Sequence, residues 1–212
     1  MPNAPMRYTL EDPATLAIAL AAEGGLAVLG LGLCWVLGMP PPQVLPANGS
    51  LGASLGWGAA ATLPLLAMFW RLQRCVWRPI ARLRRQARWM VRSLLGDARW
   101  PTVATVALSA GLGEEILFRG ALQPALGLWL GTWAGVAGAA ILFGMVHPMS
   151  VAYFVVATLC GLYLGVVTEA TGELLPAIVA HAGYDFVALL ALRKPDQTGR
   201  RPGQEELLYS DR

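Results

Sequence analysis

Apolar runs long enough to cross a bilayer fill most of this chain, and they leave few folds open to it. A membrane-spanning helix needs roughly 20 consecutive, largely apolar residues, and about six candidates can be drawn on that criterion. They are Leu16–Gly38, Leu51–Trp70, Pro101–Leu122, Leu128–His147, Ser150–Thr168 and Leu174–Leu192. Lipid offers the backbone no hydrogen-bond partners, so each run must satisfy its own amides and carbonyls as a helix. The expected fold class is all-α, a polytopic transmembrane helical bundle. Composition agrees, with 56% hydrophobic and 14% charged residues and a mean hydropathy of +0.52. Fifteen prolines and twenty-four glycines would disrupt a soluble bundle, but membrane helices tolerate them because neighbouring helices re-satisfy the freed groups.

The net charge is +3 and the pI about 9.0, yet this basicity does not point to nucleic acid. Nine of the sixteen basic residues fall between Arg71 and Arg99, beside apolar spans, which is the pattern of membrane orientation. Trp77, Trp89, Met90 and Leu94 interleave with these arginines. The segment therefore predicts a basic amphipathic helix on the cytoplasmic surface, its cations towards lipid phosphates. Arg193, Lys194, Arg200 and Arg201 put the carboxyl end on the same side, as an even number of spans requires.

The chain divides into residues 1–100, with two spans and the basic segment, residues 101–192, with the spans that carry ionisable groups, and a polar cytoplasmic tail, 193–212. Residues 39–50, rich in proline and glycine, predict an extracytoplasmic connection. The first apolar run exceeds a signal-peptide core, so no cleavage is expected. Cys34, Cys75 and Cys160 form no CxxC pair and are expected to be packing residues.

Chemistry is concentrated in Gly113-Glu114-Glu115-Ile116-Leu117-Phe118-Arg119-Gly120. Adjacent carboxylates inside an apolar span are costly, and such groups are usually functional. Glu115 and Arg119 are four residues apart and share a helix face, so they can pair; Glu114 is rotated by about 100° and is free to point elsewhere. A Glu–Arg pair alone could be a packing device. The second glutamate has no such cation, and it suits a general base acting on water.

The only two histidines also stand in apolar segments, His147 before Pro148 and His181 four residues before Asp185. A lone histidine on an apolar helix is more often a core residue than a ligand, but chance must here place both histidines, two glutamates and an aspartate in lipid. Asp185 is expected to orient the His181 imidazole or to face substrate. Straight helices leave His147 nearer the cytoplasmic face than Glu114 and His181, so a bend near Gly144 or re-entrant packing is expected. Glu23 has no evident partner and stays unassigned. Glu169 and Glu173 are expected to be solvated at a turn, and Gly131, Gly135, Gly161 and Gly165 to permit close helix packing.

Glu114-Glu115 with Arg119, Phe143 with His147, and His181 with Asp185 resemble, in order, the EExxxR, FxxxH and HxxxD motifs of the CPBP family. That family comprises CAAX prenyl endopeptidases and bacteriocin-processing or immunity proteins, and the resemblance spans about Ser109 to Leu190. It implies an intramembrane protease whose catalytic core is residues 101–192, acting on a protein or peptide with a membrane-associated segment in a bacterial-type cytoplasmic membrane. Glu114 and His147 would activate water, and His181 with Asp185 would stabilise the oxyanion. Glu114, His147 and His181 could alternatively hold a divalent metal such as zinc. A non-catalytic scaffold or immunity protein retaining a buried polar network is the competing reading, and a proton-coupled transporter a third.

Overall fold

A computed structural model describes residues 9–46 and 50–193, and their regular structure is helical throughout. The helices are α1 (Pro13–Val36), α2 (Leu51–Arg74), α3 (Arg78–Leu95), α4 (Trp100–Glu115), a π-helical segment (Ile116–Leu122), α5 (Gln123–Leu130), α6 (Thr132–Met145), α7 (Val151–Thr171) and α8 (Leu175–Arg193). Local chemistry sets several of these boundaries. Asp12 caps α1 by accepting from the Thr15 amide at 3.0 Å, with Pro13 as the first helical residue. Ser50 and Ser150 cap α2 and α7 in the same way. Gly172, at φ +73°, ends α7 in the left-handed conformation that glycine adopts without a Cβ clash.

Helix α8 is the central post of the bundle, in contact with α2, α3, α4 and α7, while α1 lies along α4 and the π segment. Glycines set the closest crossings. A Cβ on Gly58 would sit 2.5 Å from Val179, and one on Gly111 2.9 Å from the Ala182 Cβ. These contacts bring α2 and α4 against α8. Much of the apolar surface faces outward: α1 buries Gly30 and Cys34 but exposes Val28, Leu29, Trp35 and Val36. Outward-facing apolar helices are what a lipid solvent selects. Among the described residues α1, α2, α7 and α8 are long and apolar enough to cross a membrane, and the chain is an integral membrane protein.

The remaining two expected spans differ from the observed elements. The third does not stop at Leu122, because helical structure continues unbroken from α4 through the π segment and α5 to Leu130. The fourth loses Leu128–Leu130 to that rod, and α6 is only 14 residues long, roughly 21 Å at 1.5 Å per residue. Gly131, at φ +86°, makes the turn between them; it is a turn residue and not a packing one. The basic segment is also divided. Arg71 and Arg74 finish α2, and the amphipathic helix begins at Arg78.

Helix α3 buries Ile80, Leu83, Val91 and Leu95, and leaves Trp89 71% exposed, as Trp77 just before the helix is at 64%. Arg84 turns inward, its Nη1 donating to the carbonyls of Leu72, Gln73 and Cys75 at the carboxyl end of α2. The connection before α2 is strapped to the opposite end of the bundle. There Pro42 packs on Gly120 and the Leu174 amide donates to the Gln43 carbonyl at 3.0 Å. Residues 194–212, read as the polar tail with Lys194, Arg200 and Arg201, lie outside the described residues, as do residues 1–8 and 47–49.

Candidate active site

The last turn of α4 is gripped from two sides. Gly111 faces α8, and a Cβ on Gly113 would strike the Glu23 carbonyl of α1. Only glycine allows α1 so close at Gly113, and this sets how α4 presents the two glutamates that follow. Glu115 is 0% exposed, while Glu114 turns to a cavity. The hydrogen-bond pattern changes to π directly after Glu115 and includes Arg119. A π-turn re-aims side chains relative to an ordinary helix and recurs at functional sites.

Glu115 is the hub of the buried network. Its Oε1 accepts from Arg119 Nη1 at 2.9 Å and lies 2.7 Å from His181 Nδ1. Arg119, 2% exposed, donates through Nη2 to the Gly161 carbonyl at 3.0 Å, and its guanidinium carbon sits 4.5 Å from the centre of the Phe143 ring. Four residues on, Gln123 donates to the Gly165 carbonyl at 3.3 Å and to Glu169 Oε1 at 2.8 Å. Arg119 of the π segment and Gln123 at the start of α5 thus read α7 in register. A Cβ on Gly161 would come 3.1 Å from Arg119 Nη2, and one on Gly165 2.7 Å from Gln123 Oε1. These two glycines do let α6 and α7 approach, since Gly161 also faces Ala140 and Gly165 faces Val136. They admit the arginine and glutamine as well.

Glu114 stands between the two histidines. Its Oε2 is 3.7 Å from His181 Nε2 and its Oε1 is 4.0 Å from His147 Nε2. Asp185 Oδ2 is 3.5 Å from His181 Nε2. The partners of the Nδ1 atoms fix the tautomers. His147 Nδ1 lies 2.7 Å from the Phe143 carbonyl, which can only accept, so Nδ1 carries a proton. The Glu115 carboxylate fixes the proton of His181 on Nδ1 in the same way. With those protons on Nδ1, both rings turn Nε2 towards Glu114. The cavity at their centre, about 100 Å³, is walled by Leu65, Tyr153, Cys160 and Tyr184 beside these groups.

All five residues singled out as a site, Glu114, Glu115, His147, His181 and Asp185, meet here with Arg119. His147 arrives without a kinked helix. Helix α6 is short and ends at Met145, so the turn that follows carries His147 to the level of Glu114. Gly144 assists through close packing on Phe154 and Thr158 of α7. Glu115, not Asp185, holds the His181 Nδ1; the aspartate faces the other nitrogen. Sixty-six positions separate Glu115 from His181, and no local spacing signals that bond.

Three further acids are also placed. Glu173 accepts from Ser54 Oγ at 2.7 Å and Glu169 from Gln123, so this pair ties helices together where solvation alone was expected. Glu23 is half-buried, with Oε2 enclosed and without a hydrogen-bond partner among the described residues. It lies close enough to Glu114, His147, His181 and Asp185 to interact with their charges. Cys34 and Cys160 are buried and free, as packing residues should be. Among the described residues no group of three or more His, Cys, Asp or Glu side chains is arranged to hold a metal ion.

Fold and site define a helical integral membrane protein with carboxylates and imidazoles gathered in a cavity inside the bundle. Residues 96–187 match the family model described as Rce1-like, type II CAAX prenyl endopeptidase Rce1-like. The matched segment contains all three motifs and bears out the resemblance to the CPBP family read from them. No curated protein matches the chain, and no solved structure does. The match supports a protease.

Proposed function

We propose that this protein is an intramembrane endopeptidase that hydrolyses a peptide bond in a membrane-associated protein, with Glu114 activating the attacking water. The observation that carries the proposal is the division of labour between the glutamates. Glu115 is fixed by Arg119 and His181, whereas Glu114 faces the Nε2 atoms of both histidines at 3.7 and 4.0 Å across a cavity. In the proposed reaction a water proton passes to Glu114 as the water oxygen bonds to the scissile carbonyl carbon. The carbonyl oxygen becomes the oxyanion of a tetrahedral intermediate. Collapse breaks the C–N bond, and the departing amine takes up the proton held by Glu114, with His147 beside the transfer.

His181 is the proposed partner of the oxyanion, positioned by Glu115, with Asp185 beside its Nε2. In this role it acts as the imidazolium, because its Nδ1 proton is committed to Glu115. The substrate would reach the site in a bacterial-type cytoplasmic membrane, where the basic helix α3 contacts anionic lipid headgroups. Residues 101–192 form the catalytic core of this reading.

The test compares protein termini, by mass spectrometry, in membranes of host cells carrying the wild type or Glu114→Gln at matched abundance. Termini that appear only with the wild type support proteolysis and name the substrate. Identical termini would instead favour a non-catalytic scaffold that keeps the buried network. Once a cleaved substrate is in hand, activity should survive exhaustive treatment with a strong chelator. Loss on chelation with recovery on adding zinc would make Glu114, His147 and His181 metal ligands and replace the water-activation scheme.

A further inference from the structure

We infer that the Tyr153 hydroxyl is an additional catalytic group, donating the hydrogen bond that the scissile carbonyl oxygen needs as it becomes an oxyanion. The inference rests on the proposed proteolysis and comes from counting donors in the cavity. A developing oxyanion must be met by donors already in place, and the cavity is rich in acceptors. When ionised, the carboxylates of Glu114 and Asp185 only accept. The Nδ1 proton of His147 is spent on the Phe143 carbonyl and that of His181 on Glu115. Arg119 is not on the cavity wall; its Nη atoms serve Glu115 and Gly161. Until a second proton reaches Nε2, neither histidine offers the cavity an N–H, and of the first turn of α7, whose leading amides fall outside the helical bonds, only Tyr153 lines the cavity.

Tyrosine hydroxyls remain, apart from the weak S–H of Cys160. Tyr153 and Tyr184 both line the cavity, and neither hydroxyl has a hydrogen-bond partner among the described residues. Their rings differ in employment. Tyr184 packs into the apolar clusters around Leu65 and Phe69, with its ring 6.2 Å from that of Phe69. Tyr153, in the first turn of α7, packs edge-on against His147 at 5.6 Å between ring centres. It shares the cavity wall with Asp185 and Glu114. Of the two tyrosines, it is the one whose ring contacts His147 of the water-activating pair. Unlike His181, it needs no second proton to donate, so it adds an oxyanion contact that does not depend on the charge of His181.

Tyrosine in a membrane helix is ordinary and Tyr153 belongs to none of the three motifs, so nothing local marks it for this role. The test again reads terminal peptides in membranes, now with wild type, Glu114→Gln and Tyr153→Phe at matched abundance. Tyr153→Phe keeps the ring contact with His147 and removes one oxygen. The wild-type-specific cleavage should slow by about 10²–10³-fold, the usual effect of losing one oxyanion donor, without a fall in abundance. Cleavage at the wild-type rate in Tyr153→Phe overturns the inference while leaving the protease reading intact. Absence of any wild-type-specific termini overturns both. Fluorinated tyrosine at position 153 adds a readout that packing does not move: a more acidic phenol should change the cleavage rate progressively with fluorination, and a rate independent of phenol acidity refutes the donor role.

Discussion

At the scale of single residues, the site turns on two neighbouring glutamates with opposite duties. Glu114→Gln preserves shape and some hydrogen bonding but removes the base. It should abolish cleavage with no loss of membrane abundance, as comparison of termini and immunoblotting would show. Arg119→Ala should behave differently. It strands Glu115 Oε1 beside a single histidine and leaves the Gly161 carbonyl without its donor. Removing one partner of a buried ion pair costs about 3–5 kcal/mol, so abundance and thermal stability in detergent should fall together with activity. An Arg119→Ala protein as stable as the wild type would show that the pair does not hold the site together. Pairs four residues apart, Glu115 with Arg119 and His181 with Asp185, could be read from the sequence because helical geometry fixes them. The bond between Glu115 and His181 could not, since it depends on how α4 meets α8.

Among the elements, helices with strong apolar periods or caps were legible, and their boundaries failed where the chain departs from ordinary helix. Apolar runs revealed α1, α2, α7 and α8. They did not reveal the π-turn at Ile116–Leu122, because no residue in that stretch breaks a helix, nor that the rod runs on past the expected end at Leu122 to Leu130. The same oversight hid the shortness of α6, on which the placement of His147 depends. Gly144 offers a test at this scale. A Cβ there would lie 2.9 Å from the Phe154 carbonyl and intrude on Thr158 Oγ1, so Gly144→Ala must push α6 from α7. Overpacking of this kind costs about 1–3 kcal/mol, a modest loss of stability. Cleavage should fall by a larger factor, because His147 follows three residues later and would move relative to Glu114. Equal, small losses of stability and activity would indicate that the position of His147 is not critical.

For the whole molecule, orientation in the membrane follows from charge and helix length together. Arg71 and Arg74 end α2, Cys75 lies in the turn, and α3 continues the basic stretch. Positive segments beside short loops remain on the cytoplasmic side. Helix α2 has 24 residues, so Ser50 at its other end must face the opposite compartment. The native cysteines make this measurable, because Cys34 and Cys160 are buried whereas Cys75 is partly accessible. A membrane-impermeant maleimide should label Cys75 in inside-out vesicles and not in right-side-out ones. In a Ser50→Cys variant the added thiol should show the reverse pattern, while Cys34 and Cys160 react only after denaturation. Labelling of Cys75 from the outer side would invert the molecule and place the basic helix away from the cytoplasm. Equal labelling of positions 50 and 75 from one side would mean that α2 does not cross the membrane, and the bundle would then lie differently in the lipid than its apolar surface demands.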